Sequence, residues 1–142
     1  MLQKIVVYTQ LDEWDTNLIL YGIKLASGFG KELCLFYHAS GAYNPALIDE
    51  KLKKYQKLLH NDMPDLPVSI LVGPFRNGKL ATRLADDYEA IMVVAGSSSF
   101  KKLSGSLRNS PVPFLFFNPQ TTNGPDFSKI VYPVDLRRQN RD

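Results

Sequence analysis

The residues whose types and spacing could do chemistry lie in one stretch, Ala90 to Ser106, AIMVVAGSSSFKKLSGS. An apolar run from Ile91 to Ala95 ends at Gly96. Three serines, Ser97 to Ser99, then two lysines and a second small pair, Gly105 and Ser106, follow it. Small residues leave backbone N–H groups accessible and hydroxyls add donors, so such a segment at a helix start can hold an anion. The same composition also describes a solvated Gly/Ser loop that holds nothing. Other chemistry is poorly served. His38 and His60 have no cysteine or carboxylate at a metal-ligand spacing. The serines lack a nearby base for nucleophilic catalysis, and Asp86, Asp87 and Glu89 at a helix end make no acid/base pair. We therefore expect no metal site and no enzymatic activity.

The elements that must position this stretch alternate along the chain. Lys4 to Thr9, Glu32 to Tyr37, Pro67 to Val72, Ile91 to Ala95 and Pro113 to Asn118 are short, apolar and β-prone, without the polar alternation of a half-exposed strand. Between them, helical spacing runs from Asp12 to Gly28, with Leu18, Tyr21, Gly22 and Leu25 on one side. It recurs from 45 to 61, with Leu47, Leu52, Tyr55 and Leu58 or Leu59 inward, and from Lys79 to Tyr88, with Leu80, Leu84 and Ala85 inward. Between Leu107 and Asn109 only a short helix fits before Pro111. The alternation predicts an α/β fold: an open sheet of five parallel strands in the order 3-2-1-4-5 with helices on both faces. In such sheets ligands sit outside the carboxyl ends of the strands, where the segment after Ala95 would lie.

A buried strand, Gly96, a small-residue loop, Gly105-Ser106 and a later apolar strand together resemble the universal stress protein family over residues 3 to 118. The resemblance implies an adenine nucleotide alpha hydrolase-like fold, a role in the stress response, and ATP or AMP as the ligand. In that family the loop follows G-x-x-G-x9-G-[ST] and holds the phosphates and ribose. Carried onto this chain, the implied nucleotide-binding residues are Thr9, Gln10, Ala39, Ala95, Gly96, Ser97, Ser99, Gly105, Ser106 and Leu107. Three positions depart from the pattern. Ser99 stands where the second glycine belongs, the loop is four residues short, and Gln10 replaces the aspartate that usually ends the first strand. Glycine reaches backbone angles that a side chain makes costly, so these changes predict a degenerate site in an interaction and dimerisation module. Nucleotide binding is the alternative. Trp14, the only tryptophan, sits where it could cover an adenine or simply pack at a helix start.

Composition bounds the rest. The chain has 142 residues, 44% hydrophobic, which suits one domain with an ordinary core. No stretch approaches the roughly twenty apolar residues needed to span a bilayer, and the N-terminus has a strand pattern, so we expect a cytoplasmic protein without a membrane partner. Cys34 is the single cysteine and lies in an apolar run, the setting of a buried, inert thiol. The pI near 9.0 invites a nucleic-acid reading. Of the net charge of +3, however, +2 belongs to residues 127–142, and the lysines 51, 53, 54 and 57 read as a solvated helix face. No nucleic-acid partner is expected.

The last segment repeats the first. Lys129 to Asp135, KIVYPVD, matches Lys4 to Gln10, KIVVYTQ, with Asp135 in the place of Gln10. This divides the chain into a domain at 1–118, a linker at 119–127, and at 128–142 the first strand of a second domain, truncated here. Prolines flank the fifth strand, which suits an edge. An orphan β-prone tail should add to such an edge, on its own or a neighbouring copy, and we expect a homodimer through the fifth strand and tail. In a tandem protein the second domain would be a further partner.

Overall fold

The computed structural model describes residues 3–12, 15–39, 44–75 and 79–118, and the backbone of 130–134. The chain starts with β1 (Lys4–Thr9), α1 (Asp15–Phe29), β2 (Glu32–His38), α2 (Pro45–Asp62), β3 (Val68–Gly73) and α3 (Leu80–Tyr88). It continues with β4 (Ala90–Gly96), a 3-10 turn (Ser97–Ser99), α4 (Phe100–Leu107), β5 (Phe114–Phe117) and β6 (Ile130–Val134). The five strands expected from the sequence form one parallel sheet in the expected order, and β6 extends it: β3-β2-β1-β4-β5-β6. β1 is the centre, paired in parallel with β2 on one side and β4 on the other.

β1 is apolar on both faces because both faces are covered. Ile5 and Val7 point into one cluster with Leu18, Ile19, Tyr21, Ile48 and Leu52 of α1 and α2. Val6 and Tyr8 point the other way, among Leu80, Leu84, Leu103 and Leu107 of α3 and α4. Fully burying a side chain of this kind contributes about 1.5–3 kcal/mol, so the absence of polar alternation follows from the energetics of a two-sided core. At Gly22 α1 comes so close to the sheet that a Cβ would lie 2.4 Å from Val7 Cγ2. Tyr21 of α1 stacks on Phe117 of β5, ring centroids 4.1 Å apart.

Helix ends follow local chemistry. Asn44 caps α2 by accepting a bond from the Leu47 N–H at 3.2 Å, with Pro45 in the first turn. Gly30, at φ +66°, ends α1 in the left-handed conformation that glycine adopts without cost.

Three expectations need correction. Gly96 to Ser106 is not a loop: the chain turns through Ser97–Ser99 into α4, and Leu107 to Asn109 is the end of that helix. Phe100, Leu103 and Leu107, three and four residues apart, give α4 an apolar side that packs in the core below Phe114 and Phe116. On α2, Leu47 and Leu58 are exposed, and Ile48 and Leu52 turn inward with Tyr55 and Leu59 beside them. β5 is not the sheet edge, because β6 pairs with it antiparallel, Phe114 opposite Val134 and Phe116 opposite Tyr132. A free β5 ladder and a β-prone segment satisfy each other's backbone groups. Residues 119–129 and 135–142, including Asp135, lie outside the described residues.

Candidate functional site: the crevice between strands 1 and 4

The chain leaves β1 toward β2 on one side and reaches β4 on the other, so the strand order reverses between β1 and β4. The carboxyl ends of these two strands bound the crevice where ligands bind in open α/β sheets. Thr9, Gln10, Gly96 and Ser97 come together there, with Ala39 at the end of neighbouring β2.

Each of these residues has local work. Thr9 is buried, and its hydroxyl donates to the Phe36 carbonyl across the β1–β2 ladder at 2.9 Å. The Ala39 N–H donates to the Gly73 carbonyl at 3.1 Å, and its side chain is buried. Ala95 is fully buried. Gln10 reaches across the crevice: its side-chain amide donates to the Ser99 hydroxyl and lies 3.5 Å from that of Ser98. Ser99 is 1% exposed, so this bond satisfies a hydroxyl that has left water.

Gly105, Ser106 and Leu107 do not reach the crevice as a phosphate cradle would require. Gly96 has φ −74° and ψ 149°, ordinary extended backbone that any residue adopts. Gly105 is inside α4, where an added Cβ would meet nothing within 4 Å, so that position makes no close approach that demands a glycine. Ser106 and Leu107 are buried at the far end of α4, about 10 Å along the axis from Ser99 at 1.5 Å per residue. Leu107 belongs to the core. Trp14 lies outside the described residues.

Sequence reasoning missed Asp15. It opens α1, is 2% exposed and folds the chain back after β1. One carboxylate oxygen accepts the Gln10 N–H at 3.1 Å and the other the Leu11 N–H at 2.8 Å. These bonds hold Leu11 in the left-handed region, φ 59°, and set the direction in which Gln10 leaves the strand. Burial pushes the Asp15 carboxyl up to about 6, against the opposing pull of those two N–H groups. The only available signal was an acid a few residues past a buried strand, which charge alone could not separate from a surface helix cap.

Beside this turn a cleft of about 280 Å³ is lined by Leu11, Lys51, Lys54, Tyr55 and Leu58. Larger clefts lie elsewhere, about 550 Å³ around Ala26, Gly30, Asp62 and Pro67 and about 540 Å³ along α2 and the start of β3. No cluster of His, Cys, Asp or Glu suited to a metal occurs among the described residues. His38 Nε2 lies 3.1 Å from the Phe75 carbonyl. No helix of the described residues is long and apolar enough to cross a membrane.

Solved structures share this arrangement of strands and helices. A universal stress protein from Archaeoglobus fulgidus DSM 4304 superposes with a TM-score of 0.63 at 14% identity, over 82% of this chain. The chain has the universal stress protein fold. A second universal stress protein, solved in complex with cAMP, gives a TM-score of 0.62 at 16% identity, over 84% of this chain and 98% of that one. This chain spans 44% of the length of the Archaeoglobus protein. No family model and no curated protein sequence matches it.

Proposed function

We propose that the chain is a universal stress protein-like domain of the stress response whose nucleotide site is degenerate, acting without catalysis through contact with other protein chains. The observation that carries this reading is the Gln10 to Ser99 bond across the β1–β4 crevice. A nucleotide phosphate needs converging N–H groups at that point. Here a side-chain amide spans the gap, and the following residues are committed to the 3-10 turn and α4. Titrating the chain calorimetrically with Mg-ATP, AMP and cAMP tests it. We expect no heat of binding up to millimolar ligand. A dissociation constant in the low micromolar range, about −8 kcal/mol, would refute the reading and establish the alternative, an ATP- or AMP-binding domain.

The contact we propose first is a cytoplasmic homodimer in which β5 and the tail share the interface. Within the chain β6 takes the outer ladder of β5 and is the last strand of the described sheet, so its outer side is where a second copy would join. A repeat of the β1 sequence in the tail also supports a tandem arrangement, with a second such domain as an intramolecular partner. Light scattering on the chain with and without residues 127–142 tests the tail's part. Loss of the dimer on deletion is expected, and an unchanged dimer affinity would show that the tail contributes nothing.

A further inference from the structure

We propose that the opposite edge of the sheet, β3, is a docking site for an acidic, extended peptide segment of another protein, which joins the sheet as an additional strand. The proposal does not depend on the state of the nucleotide crevice or on the β5–β6 interface.

β3 ends the sheet. Backbone groups alternate sides along a strand, and the pattern here is fixed by bonds at both ends. The Pro67 carbonyl accepts from Leu33 at 2.9 Å and the Gly73 carbonyl from Ala39 at 3.1 Å, so the odd-numbered residues face β2. Val68, Ile70 and Val72 therefore turn their N–H and C=O groups outward. The Val68 carbonyl accepts from the Gln56 side chain at 2.9 Å, which confirms the direction and leaves the groups of Ile70 and Val72 presented along the edge. All residues from Val68 to Val72 are half-buried, although the run VSILV is largely apolar. An apolar strand with an open ladder will pair with something unless it is guarded.

The guard also indicates the guest. Beside the edge runs a groove of about 540 Å³ between β3 and the outer flank of α2, lined by Lys53, Gln56, Lys57, His60, Leu66 and Val68 among others. Lys53, Lys57 and His60 are spaced at i, i+4 and i+7, one row along the helix. From Lys53 to His60 the row is about 10 Å long at 1.5 Å per residue, the length of roughly three strand residues. Asp49 lies 3.0 Å from Lys53 in an exposed pair that solvent weakens, and Glu50 stands three residues before Lys53 on the same helix.

Two copies pairing β3 to β3 would bring two such basic rows together on the same face of the continuous sheet, which repels a second copy. A strand with carboxylates at alternate positions has the reverse effect. Val68, Ile70 and Val72 direct their side chains to the α1–α2 face. An added strand in register with them sets every second side chain on that same face, along Lys53 and Lys57. Main-chain bonds to Ile70 and Val72 would supply affinity, and the lysine row would select for charge.

The test uses the full chain and a fluorescein-labelled octapeptide of alternating glutamate and valine. Its controls are the same peptide with lysine for glutamate, and the acidic peptide N-methylated at alternate positions to remove ladder donors. We expect anisotropy to report saturable binding of the acidic peptide at micromolar to submillimolar concentration. The Lys53→Glu/Lys57→Glu variant should weaken it at least tenfold, and neither control peptide should bind. Hydrogen exchange should slow at the Ile70 and Val72 amides when the acidic peptide is present. Circular dichroism confirms that the variant, altered only at exposed positions, is folded. No binding at 1 mM, equal binding of the lysine peptide, unchanged affinity of the variant, or protection at other amides would each overturn the proposal. Ile70 and Val72 amides already protected in a self-associated chain without peptide would give the edge to a second copy and overturn it as well.

Discussion

Substituting Asp15→Asn should change how stability depends on pH, with a sign and size that follow from the buried turn after β1. The carboxyl of Asp15 is raised from an ordinary 3.8 to about 6 in the folded chain, mainly by burial. Because the folded state holds this proton more tightly than the unfolded state, the stability it confers is fully present well below pH 4 and is lost as pH rises through about 6. Each tenfold difference in proton affinity between the two states is about 1.36 kcal/mol, so the wild-type chain should lose about 2 kcal/mol from this group between pH 4 and pH 7. Asparagine has no such titration. The bonds from the Gln10 and Leu11 N–H groups favour the ionised carboxylate and are already part of the wild-type shift, while any loss that asparagine brings is the same at every pH and drops out of the slope. Urea unfolding of both chains at pH 4, 5, 6 and 7 gives the difference directly, since the other carboxylates titrate alike in each. Wild type should lead by about 2 kcal/mol more at pH 4 than at pH 7. A constant difference would mean that Asp15 is solvated. A slope of the opposite sign would mean that the two N–H bonds outweigh burial, and either result refutes the account of this turn.

The Gly22→Ala substitution sets a Cβ 2.4 Å from Val7 Cγ2 and 3.0 Å from Leu33 Cδ1, both fully buried. Overpacking of about 1–3 kcal/mol should exceed the gain of up to about 1 kcal/mol in helix propensity, giving a net loss in urea unfolding. Cys34 is 1% exposed with its thiol pushed up to about 11 by burial, so at pH 8 it should react with an aromatic disulfide reagent only after unfolding. Rapid labelling of the native chain would show that β2 opens.

The core elements are legible in the sequence because two-sided burial leaves a plain mark. The apolar run KIVVYT has the ends that β1 has in the structure, since every residue in it must be covered and the flanking residues need not be. α4 is hidden for a physical reason. Ser104, Gly105 and Ser106 have low helix propensity, and that composition outweighs the Phe100, Leu103, Leu107 spacing that packing on β5 rewards. α2 is placed correctly and Leu52, Tyr55 and Leu59 lie inward as its spacing says, but a lysine-rich helix with several leucines offers more than one apolar stripe in its first turn, and only the sheet decides that Ile48 goes inward in place of Leu47. At the crevice, Gln10 stands out as a departure from the family pattern. Its bond to Ser99 depends on a helical path for the intervening chain that no motif spacing contains. Asp15 illustrates the general limit: one polar residue carries no period, so its burial is invisible until the fold encloses it.

The central place of β1 also orders events in time during synthesis. Its first neighbour, β2, pairs Lys4 with Glu32, whereas its other neighbour pairs Lys4 with Ala90. A ribosome adding about 5–20 residues per second leaves roughly 4–17 s between the translation of Lys4 and that of its β4 partner. Late in that interval, once β3 has been made up to Gly73, β3, β2 and β1 can assemble as a half-sheet, because each is joined to the next by its own helix. The future middle of the molecule is then an open apolar edge. The nascent chain therefore passes through a stage in which its most deeply enclosed strand is its most accessible one, and arrival of β4 both completes the core and closes that exposure.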